Sequence, residues 1–222
     1  MMENIKEIPY GIANFVEVAE QNMYYVDKTM YLPLLEKQPR NLFFTPSPLL
    51  RQEYLFEYAA CDYDIAQKEK FQKRFGNLWI GSRPTPLQGK FQVVYLDFSR
   101  ASGGSGSLEE NFNNYCGMVM DLFGKVYEPY YFPGFAQKME EQPDFVSKLN
   151  YLNLHAAESG MKLYLIIDEY DNFTNIVLNE QGKDIYHALT HASGFYREIF
   201  KKFKGMFERI FMTGVSPSPW TT

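Results

Sequence analysis

Short apolar runs alternate along this chain with longer stretches in which apolar residues recur at helical spacing. Four runs read as strands: residues 41–45 (NLFFT), 91–98 (FQVVYLDF), 162–167 (KLYLII) and 209–213 (RIFMT). Residues 24–26 form a further short extended piece. Helical spacing predicts helices over 15–21, 28–37, 50–61, 65–75, 108–126, 144–159 and 185–203. Asp27 is placed to cap the second helix and Pro39 to end it. Pro46 and Pro48 close the first strand, because proline has no N–H to give a sheet ladder. Pro84, Pro86 and the run ASGGSGS at 101–107 read as loops. Strands alternating with long helices predict an α/β fold, a parallel sheet flanked by helices.

Composition narrows the class without naming a chemistry. Hydrophobic residues make up 45% of the 222 positions and charged residues 22%, the balance of a folded globular chain. A formal charge of −5 gives no general basic field, so the chain offers no support for nucleic-acid binding. No apolar run approaches the roughly 18 residues a membrane span requires. The start, MMENIKEIPYGI, mixes charge and proline where a signal peptide needs an apolar stretch. Cys61 and Cys116 make neither a disulfide framework nor a metal cluster. These features predict a cytoplasmic protein with no membrane association.

The strongest chemical signal is the run Leu163 to Asp171, LYLIIDEYD. An apolar strand ending in Asp168-Glu169 puts two carboxylates at the C-terminal edge of a parallel sheet, where ligands of α/β folds collect. In a nucleotide hydrolase the first would hold Mg²⁺, usually through water, and the second would orient or deprotonate the attacking water. The same pattern also describes a buried strand running into a solvated acidic turn. Thr213 ends the last strand, where its hydroxyl would reach the same water or a terminal phosphate; a plain turn at Gly214 is the alternative. His187 and His191 share a helix face, but with no third ligand nearby they read as surface. The basic residues Arg197, Lys201, Lys202 and Lys204 suit the C-terminal end of a helix dipole.

These residues resemble a known family, the AAA-ATPase-like proteins common in gut Bacteroidetes. The matching pieces are IPYGIANF, YYVDKT, NLFF, YDI…KFQKRFGNLWIG, PTPLQGKFQVVYLDFS, LYLIIDEYDNF and RIFMTGVSP, in family order over nearly the whole chain. The resemblance implies a P-loop NTPase core that uses ATP and Mg²⁺, fused in full-length members to a C-terminal nuclease-like domain of the PD-(D/E)XK type. It implies that Asp168 is the metal-holding and Glu169 the catalytic residue of a Walker B pair, with Thr213 the sensor on the next strand. On this view residues 1–40 are a lead-in segment and 41–222 a truncated core, effectively one domain.

The phosphate cradle does not carry over. A P-loop needs glycines, a Lys and a Ser or Thr, and the family reads like RPRRFGKS after NLFF. Here the segment is Thr45-Pro46-Ser47-Pro48-Leu49-Leu50-Arg51-Gln52-Glu53, with Arg51, Gln52 and Glu53 in the places of Gly, Lys and Ser. A shift of one base accounts for this. Pro46-Ser47-Pro48 written CCG-TCC-CCG then reads Arg-Pro-Arg. Leu50 to Tyr54 written CTT-CGG-CAA-GAG-TAT reads Phe-Gly-Lys-Ser, and Tyr58 to Cys61 can give Met-Leu-Arg-Ala. The end, Pro217 to Thr222, written CCA-TCA-CCA-TGG-ACG-ACC and followed by TGA, returns Pro-Ile-Thr-Met-Asp-Asp-Leu when one C is restored. The expectation is a frameshifted, truncated chain that keeps Walker B, lacks Walker A and does not hydrolyse ATP. Truncation would also leave residues 41–45 as an apolar sheet edge prone to aggregation. A non-enzymatic interaction module, binding protein partners or further copies of itself, is the competing expectation.

Overall fold

The structure is a computed structural model, and it describes residues 6–12, 14–44, 53–101, 106–180 and 195–214. The expected segments around 45–52, 102–105, His187 and His191, and 215–222 lie outside the described residues. The chain divides into two compact units, Met1–Pro39 with Ser47–Phe91 and Arg40–Pro46 with Gln92–Thr222.

The first unit is built on helices α1 (Phe15–Glu20), α2 (Leu32–Glu36), α3 (Glu53–Tyr63) and α4 (Phe71–Phe75). Aromatic rings fill its core. Phe15 meets Tyr58 edge-on at 4.5 Å and Phe75 at 5.1 Å, and Phe75 stacks on Phe71. The helix expected over 28–37 divides into a 3-10 turn, Thr29–Tyr31, and α2. Pro33 explains the break: without an N–H it fits only the first turn of a helix, so α2 begins at Leu32. The helix expected over 65–75 divides likewise into a 3-10 segment, Ile65–Lys70, and α4.

Asp27 does more than cap. One carboxylate oxygen accepts from the backbone N–H and hydroxyl of Thr29, at 2.8 and 2.7 Å. The other accepts from the backbone N–H of Trp79. Thr29, fully buried, accepts from the Ile80 N–H at 3.1 Å. Together the two side chains satisfy opening amides of the 3-10 helix Trp79–Ser82, which a helix start otherwise leaves without partners. The YYVDKT motif thereby clamps the GNLWIG motif, which gives it a physical role.

The second unit holds the sheet. Strands β1 (Asn41–Phe44), β2 (Gln92–Asp97), β3 (Leu163–Asp168) and β4 (Arg209–Thr213) lie in the order β1-β4-β3-β2, every pair parallel. This is the α/β architecture expected from the alternation of strands and helices, and it is P-loop NTPase-like. The central strand β3 is buried from Leu163 to Ile167, whereas β2 alternates buried and half-buried positions. Helices α5 (Leu108–Tyr127), α6 (Phe135–Glu140), α7 (Phe145–Glu158), α8 (Tyr170–Glu180) and α9 (Phe195–Met206) flank the sheet. Ser107 opens α5 with a reciprocal capping box to Glu110, and Asp144 caps α7. Two of these helices, α6 and α8, are absent from the sequence-based expectation. Among the described residues no helix is long and apolar enough to cross a membrane.

Among the described residues of this unit Lys148 is the buried cation, only 6% exposed. It pairs with Asp121 and donates to the carbonyls of Met139 and Glu140 at the C-terminal end of α6, where the last carbonyls of a helix lack intrahelical partners; Met139 also accepts from the Gln142 N–H at 3.2 Å. A cavity of about 790 Å³ opens beside it, lined by residues of α5, the start of α7 and the segment 142–144 before it.

Candidate functional site

Register brings three strands to one point. Asp97 ends β2 directly opposite Asp168 at the end of β3. On the other side Ile167 pairs with Met212, so Thr213 is the next residue along β4, beside Asp168. Five consecutive buried residues fix β3 at the centre of the sheet, and the polar residue that follows emerges at its C-terminal edge.

The Asp168 carboxylate is held from three directions. The Thr213 hydroxyl donates to its Oδ1, and the backbone N–H of Glu169 donates to the same oxygen at 3.0 Å. The Tyr95 hydroxyl donates to Oδ2 at 3.2 Å. Tyr95 lies two residues before Asp97 on β2, so it projects from the same face of the strand. Thr213 also accepts from the Glu169 N–H at 3.4 Å, which links the strand ends by side chain as well as by ladder.

Glu169 turns the chain out of β3 with φ +49°, a left-handed conformation that residues with a Cβ seldom adopt. Its carboxylate is exposed and accepts from the Asn172 side-chain amide at 2.8 Å. Behind it, Tyr170 and the buried Asp171 press against Gly214. A Cβ there would lie 2.2 Å from the Tyr170 ring and 2.3 Å from Asp171 Oδ1, so only glycine allows β4 to pass. Asp97 is tied locally, accepting from the Ser99 hydroxyl and N–H and pairing with Arg100 at 3.2 Å.

The sequence-predicted residues Asp168, Glu169 and Thr213 therefore meet at one point. Arg51 and Gln52 lie outside the described residues, and Glu53 begins α3 with its side chain likewise outside them. Tyr95 and Asn172 are the members of the site that sequence reasoning missed. Alternation along β2 was the available signal for Tyr95, and Asn172 carried none. Both cysteines are free thiols, with burial pushing Cys61 up to about 12 and raising Cys116 as well.

Among the described residues no group of three or more metal-type ligands is assembled. A divalent cation at Asp168 would therefore complete its shell from water and from a bound phosphate, the usual habit of Mg²⁺.

No curated protein and no solved structure matches the chain. A family model described as predicted AAA-ATPase matches residues 9–220, nearly the full length. The chain therefore belongs to the AAA-ATPase-like family.

Proposed function

We propose that this chain is an ATPase-type nucleotide domain that keeps the metal and water half of its site and lacks the phosphate half. The supporting observation is the fixed Asp168 carboxylate, held by Thr213 and Tyr95 at the C-terminal edge of a parallel sheet. In this reading Asp168 holds Mg²⁺ through water, Glu169 polarises the attacking water, and Thr213 senses the terminal phosphate. Asn172 keeps the Glu169 carboxylate turned toward α8 until substrate arrives.

The phosphate half is argued from sequence. Pro46 and Pro48 cannot donate an N–H, no glycine relaxes the turn, and Glu53 repels phosphate where a hydroxyl is needed. Each lost charge-assisted bond is worth about 1.5–3 kcal/mol, so a few of them take a micromolar site to millimolar or weaker. A reading-frame shift over residues 46–61 accounts for the altered segment, and resequencing the gene there tests that origin.

Phosphate release from MgATP tests the activity. The expected outcome is no turnover above background; turnover of about one per second, the low end of ordinary enzyme rates, overturns the proposal. One observation favours the alternative of an interaction module: the first unit exposes large apolar side chains, among them Ile8, Tyr10 at 97%, Tyr24, Val26 and Leu34. MgATP-dependent thermal stabilisation separates the two, since the module predicts none at any concentration.

A further inference from the structure

Asp62 lies near the C-terminal end of α3 and is 2% exposed. Neither of its carboxylate oxygens has a hydrogen-bond partner among the described residues. Its backbone is pinned on both sides: its carbonyl accepts from the Gly89 N–H at 2.8 Å, and Tyr63 and Ile65 bond to Phe91 at 3.0 and 2.8 Å. Its carboxylate is thus held in the interior, almost out of contact with water. An ionised carboxylate so placed loses its hydration and gains nothing in return.

Among the described residues the charged groups around it do not supply a counter-ion. Glu36, on α2, brings a second carboxylate into the same interior, with its Oε1 also buried. On α3 itself, Glu57 takes the Phe15 N–H. Asp64, which follows the helix, caps the Ala66 N–H. On α1, Glu17 accepts from the Gln21 side chain, while Glu20 engages Lys73 and Arg74 of α4. Lys68, Glu69 and Lys70, on the 3-10 segment, are exposed.

We infer that Asp62 is a buried proton site: the first unit folds with this carboxyl group protonated and loosens around α3 when the proton leaves. Burial first, and the Glu36 charge second, push the Asp62 carboxyl up to about 7. In the unfolded chain it returns to the ordinary value of about 3.9. A raised folded value means the contribution is complete below the ordinary range and is lost as pH rises toward neutrality. The pH window of loss thus runs from about 4 to about 7 and overlaps physiological conditions.

The test uses the intact chain. The Asp62 carboxyl carbon is followed by NMR across the pH range, and hydrogen exchange of the α3 amides is measured with correction for the intrinsic pH dependence. A carboxyl midpoint near neutrality is expected, with α3 protection falling up to about tenfold per pH unit between about pH 5 and 7. In Asp62→Asn that dependence should flatten, and Glu36→Gln should move the midpoint down. An ordinary carboxylate midpoint in the wild-type chain overturns the inference whether or not either variant folds. So does a pH dependence of α3 that is the same in wild type and Asp62→Asn.

Discussion

At the end of the parallel sheet, Asp168 receives two hydroxyls and an amide, and Asp97 receives a hydroxyl, an amide and a guanidinium. In the first unit Asp27 is supplied as generously, by Thr29 and Trp79, while Asp62 is supplied by nothing among the described residues. The two units differ in how a partner comes to be there. Parallel register sets strand ends side by side, so donors from β2 and β4 reach a residue on β3 as a consequence of the ladder. Among the described residues the first unit contributes no strand to the sheet. Asp27 draws part of its supply from a segment 52 residues away that must meet it at one particular spot, and a buried acid that misses such a meeting must rely on a proton.

The sharpest way to break this comparison is to remove the match that succeeds. Asp27→Ala takes partners from the Thr29 hydroxyl and from two backbone amides, each opening a 3-10 segment. The expected loss is about 3 kcal/mol, taking about 1.5 kcal/mol for each of the two stronger charge-assisted bonds, read from the urea midpoint at constant slope. Asp27→Asn, which keeps one good acceptor, should lose about half as much. Equal losses for Asn and Ala would mean that charge rather than hydrogen-bond geometry carries the clamp.

Lys148→Met provides the counterpart in the second unit. The apolar chain, one atom shorter, fills most of the space but removes the donor from Asp121 and from the Glu140 carbonyl, while Met139 keeps the Gln142 N–H. Asp121 is partly open to water and can rehydrate, so the loss should be about 2 kcal/mol, below the 3–5 typical of a fully buried broken pair. A double substitution with Asp121→Asn should recover part of it, and strict additivity would show that the pair is not coupled.

How far the sequence could be read follows the same division. The four strands, their parallel pairing and the meeting of Asp168 with Thr213 were legible because continuous apolar runs announce buried strands and register then does the rest. The break before α2 is hidden by helical spacing that runs unbroken across 28–37, although the missing N–H of Pro33 marks it. The clamp from Asp27 to Trp79 was not legible at all, since no local pattern links residues so far apart. Asn172 was hidden for a different reason. Its role depends on the left-handed turn at Glu169, and a glutamate gives no warning of that conformation.

A smaller effect tests the sheet end directly. Thr213→Val keeps shape and β-branching while removing the hydroxyl that joins Asp168 and the Glu169 amide. The expected cost is about 1 kcal/mol, with Tyr95→Phe costing no more because its bond is longer and half open. If Thr213→Val were as damaging as Asp27→Ala, the sheet edge would not be over-supplied with donors, and the contrast between the units would fail.

The smallest expected effect bears on function. Glu169 and Asn22 are the non-glycine residues with positive φ among the described residues, at +49° and +52°. Asparagine tolerates this region, and glutamate does so at a cost of about 1 kcal/mol. Both Glu169→Gly and Glu169→Ala discard the carboxylate, so their difference isolates the backbone. Glycine should be more stable by about 0.5 kcal/mol once its greater freedom in the unfolded chain is deducted. At Asn22 the same pair of substitutions gives the matching gap, and the wild-type asparagine should fall close to glycine. A measured gap at Glu169 means a carboxylate is retained where the backbone prefers glycine, as expected of a side chain kept for what it touches. No gap would mean the turn costs nothing, and the case for Glu169 would then rest on its position beside Asp168 alone.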